Sequence, residues 1–145
     1  MPEIILLGDH EEIVALEPDD NPADGFPFMP CNGIHSDIRA QLYASLLGVY
    51  FDEAQTLELL VSELTPYGPF IYLLDQQLLE RLSRIEEDEV DTLARNWAES
   101  GDTESLGVYD TDLIELLTTF LFNLIHFCLL SLNEPELDVV IYSDV

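Results

Sequence analysis

Apolar and polar positions follow distinct rhythms along this chain, and each rhythm predicts an element. IILL and IVAL flank GDHEE near the start. They read as a short hairpin, with one helix as the alternative, because short apolar runs carry no decisive period. PDDNPADGFPFMPCNG follows, in which four prolines and two glycines oppose regular structure. This is a predicted loop, pinned to the body by Phe26, Phe28 and Met29.

From Ser36 the period becomes helical. Ser36 is a predicted cap for a helix through about Leu47, with Ile38, Leu42 and Leu46 on its inner face and Gly48 closing it. Asp52 and Gln55 form a capping-box pattern for a second helix ending near Leu64. TPYGP breaks the chain, FIYLL reads as extended, and Asp75 caps a third helix through about Arg84. A fourth covers roughly Glu87 to Glu99, with Val90, Leu93, Ala94 and Trp97 on one face and Gly101 ending it. Asp110 caps a fifth to about Leu132, stopped by Asn133 and Pro135, and DVVIY closes as a strand.

The predicted fold is α+β, mainly α. Five helices surround the apolar C-terminal helix, and FIYLL (70–74) pairs with DVVIY (138–142) in a small sheet. Residues 1–145 form a single domain: a hairpin and Pro/Gly-rich loop over 1–35, then a helical body over 36–145.

The last helix approaches the roughly 20 apolar residues that a membrane span needs. Its flanks are acidic, no Lys or Arg marks an inner side, and Glu115, Thr119, Asn123 and His126 make one polar stripe. A packed core helix with one wetted stripe is therefore expected, not a span. The N-terminus lacks a basic region followed by a long apolar one, so a cytoplasmic location is expected.

Charge alters this picture of an ordinary helical domain. The chain has 30 Asp and Glu against four arginines and no lysine, a formal net charge of −26. With 48% hydrophobic residues it has only half the signature of disorder, and it should fold. Arg39, Arg81, Arg84 and Arg95 cannot neutralise a nucleic-acid backbone, and an anionic membrane surface is disfavoured for the same reason. Basic proteins would be attracted and steered in.

IEEDEVD concentrates the acidity: Glu86, Glu87, Asp88, Glu89 and Asp91 are the candidate partner-binding residues. The first four fall at the cap and first turn of the fourth helix, where free N–H groups and the helix dipole favour anions. Asp91, Arg95 and Glu99 recur at +4 and can pair locally, as can Arg84 and Asp88. The run is locally explicable, whereas the whole-chain excess is not.

Other chemistry fails on spacing. DNPADG places Asp20, Asp24 and Gly25 at calcium-loop positions, but Pro22 and Cys31 stand where oxygen ligands are required. Cys31, His35, His126 and Cys128 form a nominal zinc set, yet His126 and Cys128 point about 200° apart on a helix. No nucleophile elbow, phosphate loop, dinucleotide glycine pattern or zinc-protease motif occurs. No catalytic, cofactor or metal site is expected.

GPFIYLL with Gly68, Pro69, Phe70 and Tyr72, then Trp97 and Ala98 in NWAES, then Val139 to Tyr142, span about half the chain. In this order they resemble a loosely defined group of small bacterial proteins with no assigned activity. There an aromatic extended segment follows a Gly-Pro-like turn, Trp-Ala ends a helix, and a few hydrophobic residues end the chain. The resemblance implies a fold and no activity.

The leading expectation is a non-enzymatic acidic protein that occupies a basic protein surface, as an immunity or inhibitor protein or a DNA mimic does. The alternatives are a small carboxylate enzyme, with or without a metal, and an acidic structural protein adapted to high salt. A homodimer through the apolar last helix is also expected.

Overall fold

The computed structural model describes residues 3–100 and 103–144. Its elements run β1 (Glu3–Asp9), α1 (His10–Val14), β2 (Phe28–Pro30), α2 (Ser36–Leu47), α3 (Phe51–Ala54), β3 (Glu58–Glu63), β4 (Phe70–Leu74), α4 (Gln76–Ser83), α5 (Val90–Ser100), α6 (Asp110–Asn133) and β5 (Leu137–Ser143). The class is α+β, mainly α. One antiparallel sheet has the order β2-β1-β5-β4-β3.

The three inner strands read as continuous apolar runs because both of their faces are covered. Alternate residues part at the sheet. Ile5, Leu7, Val139 and Ile141 join the large core beneath the helices. Leu6, Ile71, Val140 and Tyr142 form a second cluster on the other face, with Ile13 and, half-buried, Leu16, Phe26 and Leu64 packed against it. The predicted pairing of FIYLL with DVVIY is present, Phe70 facing Ser143 and Leu73 facing Val140.

The predicted inner faces also lie inside: Ile38, Leu42 and Leu46 of α2, and Val90, Ala94 and Trp97 of α5, are buried, with Leu93 half-buried. Trp97 donates Nε1–H to the Ile38 carbonyl at 2.9 Å and tilts against Phe120 at 6.0 Å, tying α5 to α2 and α6. α6 is long and apolar enough to cross a membrane, and 44% of its most apolar stretch is buried within the protein. Leu113, Leu117, Leu121, Leu124 and Cys128 face inward, while Glu115, Thr119, Asn123 and His126 are exposed.

Six expectations are corrected. The N-terminal hairpin does not form: Asp9 Oδ1 accepts from the Glu11 and Glu12 amides, which starts α1 where a second strand was expected. On the side of β1 away from β5, the neighbour comes instead from the Pro-rich loop. Its residues Phe28–Pro30 make an edge strand, the place in a sheet where proline is tolerated. That loop also contains a 3₁₀ turn at Pro22–Asp24, and of its expected anchors Met29 is buried, Phe26 half-buried and Phe28 exposed.

The helix expected from Asp52 to Leu64 ends at Ala54. A 3₁₀ turn, Gln55–Leu57, leads into β3, since β4 offers an open strand edge that outweighs helical propensity. The caps of α2 and α6 each move back by one residue. His35 Nδ1 accepts from the Asp37 amide at 3.3 Å, and Tyr109 precedes Asp110, whose φ is 54°. Gly101, the expected end of the fourth helix, lies outside the described residues.

Candidate protein-binding surface

The densest polar chemistry is internal. Arg39, on α2, is 1% exposed and the sole buried charged residue among those described. It grips Glu58 through Nε at 2.7 Å and Nη2 at 2.9 Å, and through Nη1 it reaches Glu3 at 2.9 Å and the Ile34 carbonyl at 2.7 Å. Tyr43, one turn on, donates its hydroxyl to Glu58 at 2.7 Å. Burial pushes the Tyr43 phenol well up, with Glu58 adding to the effect, so it remains a donor at neutral pH. The bidentate fork is the geometry that arginine offers and lysine does not.

This network joins β1, α2 and β3 and has all its hydrogen-bonding groups satisfied, since no enclosed side-chain N or O among the described residues lacks a partner. Cys31 Sγ lies 3.8 Å from Arg39 Nη1. Its thiol is pushed up to about 12 by burial, against the opposing pull of Arg39, so it is no nucleophile at neutral pH. The network is a staple of the fold. Its sequence signal is Arg39 with Tyr43 at +4, beside the apolar stripe of α2.

The predicted partner-binding residues lie at the surface. Glu87–Glu89 form a 3₁₀ turn preceded by Glu86, and Asp91 is in the first turn of α5. All five are exposed. Glu86 makes no side-chain cap, so the expected N-terminal cap bond is missing. Arg95 pairs with Asp91 at 2.8 Å, whereas the expected contacts of Arg84 with Asp88 and of Arg95 with Glu99 do not form among the described residues. Four carboxylates of the turn are therefore without a cation.

The turn borders a feature that sequence reasoning missed. A groove of about 190 Å³ is lined by Ile85, Val90, Phe122, Ile125 and Leu129, with the exposed Glu87 and His126 as its polar members. Phe122 is 50% exposed and Leu129 39%. These α6 residues lie more than thirty positions from the acidic run, so no local pattern could have joined the two.

The nominal zinc and calcium residues do not converge. Cys128 is buried and His126 exposed on α6, Cys31 lies against Arg39, and the His35 Nδ1 is occupied as a helix cap. Asp20 instead closes its own turn by accepting from the Glu17 amide at 2.8 Å. Among the described residues no group of three or more His, Cys, Asp or Glu is arranged to hold a metal ion.

Compared with protein-family models, with characterised proteins and with solved structures, the chain has no match.

Proposed function

We propose that this is a non-enzymatic acidic interaction protein that occupies a basic surface of another protein, as an immunity or inhibitor protein or a DNA mimic would. One observation carries the reading: the unpaired carboxylates of Glu86–Glu89 stand beside an apolar groove with Phe122 and Leu129 exposed. Exposed acids alone would be solvation. Acids beside an apolar anchor site have the composition of an interface, with charge to steer and hydrophobic contact to hold.

The test is retention of basic proteins on immobilised protein at low salt, eluted with a salt gradient. The wild type is compared with a variant carrying Glu86→Gln, Glu87→Gln, Asp88→Gln and Glu89→Gln, and with Phe122→Ser. Both variants are expected to release the same protein at lower salt than the wild type. Retention of no basic protein by the wild type would overturn the reading and leave solvation as the account of the charge. Unchanged elution from both variants would remove this surface as the contact.

The proposal extends to a second copy of the chain as a competing occupant of α6, where Leu130 and Leu132 are exposed as well. Mutual repulsion opposes that contact until salt screens it. Sedimentation at about 0.5 M salt, where the Debye length falls below roughly 5 Å, is expected to detect a dimer. A monomer at every concentration would exclude it.

A further inference from the structure

We propose that the groove between the Pro18–Ala23 segment and the end of β5 receives one lysine or arginine side chain of the basic partner. It deepens the proposed function by adding a second contact on the opposite face of the sheet from α5 and α6. The groove holds about 400 Å³. Ile4, Pro18 and Pro22 supply apolar wall for an aliphatic stem, and Asp19, Asp20 and Asp144 supply carboxylates.

Acids alone would not make this a site; Tyr142 does. Its side chain belongs to the second core cluster and the residue is 6% exposed, yet its hydroxyl has no hydrogen-bond partner among the described residues. Enclosed polar side-chain atoms among the described residues all have partners, so the unpartnered hydroxyl opens into the groove it lines. Burial, with Asp144 and Asp20 nearby, raises the phenol above its ordinary value of 10.0 and keeps it neutral. A neutral phenol oxygen accepts from an N–H donor, and an ammonium or guanidinium brings several donors to share between it and the carboxylates.

The groove is also ready-made. Asp20 is held by the Glu17 amide, Asn21 caps the 3₁₀ turn through the Ala23 amide at 3.3 Å, and Pro22 is buried. Asp19 and Asp144 have no side-chain hydrogen bond or ion pair among the described residues. A groove of about 460 Å³ beside β4 and the end of α6 differs in this respect. Its Asp75 accepts from the Leu78 amide at 3.0 Å and its Asp138 pairs with His10 at 2.7 Å, so its acids are already engaged.

The experiment titrates the ¹⁵N-labelled protein with Nα-acetyl-lysine methylamide or Nα-acetyl-arginine methylamide in about 0.15 M salt, where long-range attraction is screened. Saturable shifts confined to residues 19–23 and 142–144 are expected. Tyr142→Phe and Asp144→Asn, which remove unpartnered groups and should fold normally, are each expected to weaken the affinity about fivefold or more. The four-Gln variant should bind as the wild type does.

Shifts spread over the whole acidic surface without saturation would overturn the proposal. So would equal affinity in Tyr142→Phe and Asp144→Asn, or a tighter response to magnesium than to either amide. Failure here, with the four-Gln variant still losing its partner, would remove this contact and leave the proposed function standing. Saturable binding here with no basic protein retained would do the reverse.

Discussion

Two of the four arginines show how strongly context sets the worth of a charge. Arg39 is enclosed and answers two glutamates, one of them bidentately, while Arg95 and Asp91 pair across one helical turn with both side chains mostly in water. Arg39→Met would leave Glu58 and Glu3 without their cation inside the fold and is expected to cost about 3–5 kcal/mol. Arg95→Met should cost no more than about 0.5 kcal/mol. Urea unfolding of both variants measures the contrast, and equal losses would refute the account of the network. The two thiols add a pH dependence. Burial pushes Cys31 and Cys128 from an ordinary 9.0 up to about 12. Between those values the unfolded chain releases protons that the folded chain keeps, so stability present below pH 9 is lost as pH rises toward 12. Each thiol contributes a slope of about 1.4 kcal/mol per pH unit there. Cys128→Ala is expected to lower stability somewhat at neutral pH and to flatten the decline between pH 9 and 11. An undiminished slope would mean that Cys128 does not ionise on unfolding.

At the level of elements, the chain bends to partners that are distant in sequence. Gly8 in β1 leaves room for Phe26: a Cβ there would stand 2.3 Å from the ring. Gly8→Ala is therefore expected to cost about 1–3 kcal/mol through overpacking. In a Phe26→Ala background most of that penalty should vanish, a coupling that a double-mutant cycle reads directly. Additive losses would mean that the 10–27 segment does not lie over β1. The same contact shows why the N-terminus was misread. IVAL has the composition of a strand, but Asp9 caps a helix and Phe26 closes over Gly8, leaving β2 to pair with the edge of β1 that β5 does not occupy. β3 was misread for a related reason, since its Leu-rich run is compatible with a helix until β4 pairs with it and Arg39 holds Glu58. By contrast, α2, α4 and α5 carry their own period and stops, and β4 and β5 are β-branched or aromatic runs between breakers, so they could be read locally. For the candidate surface, the acidic run was legible as composition. Phe122 and Leu129 beside it, and Tyr142 beside Asp20, are products of folding, and no spacing rule encodes them.

For the whole molecule the dominant fact is an imbalance with no internal remedy. Every described Asp and Glu is at least partly exposed, whereas the best-paired cation, Arg39, is spent inside the fold, which leaves the surface negative. Mutual repulsion is greater in the compact state than in an expanded chain, so it subtracts from stability and fades as salt shortens its reach. The Debye length falls from about 30 Å at 0.01 M to about 10 Å at 0.1 M and 3 Å at 1 M. Repulsion over more than about 10 Å is largely screened by 0.1 M salt, so the greater part of the relief is expected before about 0.2 M. The thermal midpoint is thus expected to rise steeply at first and then level, and to follow ionic strength with sodium or potassium chloride alike. Sulfate must be avoided, because its exclusion from protein surfaces stabilises by another route. In the four-Gln variant two effects oppose each other. Each anion removed from the turn ahead of α5 forfeits at most about 0.3–1 kcal/mol at low salt, while the loss of four negative charges relieves the body. Its midpoint at 0.01 M should stay close to that of the wild type, and its rise with salt should be shallower because less repulsion remains to screen. A midpoint that does not move with salt in either protein would show that the net charge of −26 does not strain the fold. A salt response unchanged by the substitutions would show that the strain arises from acids other than this turn.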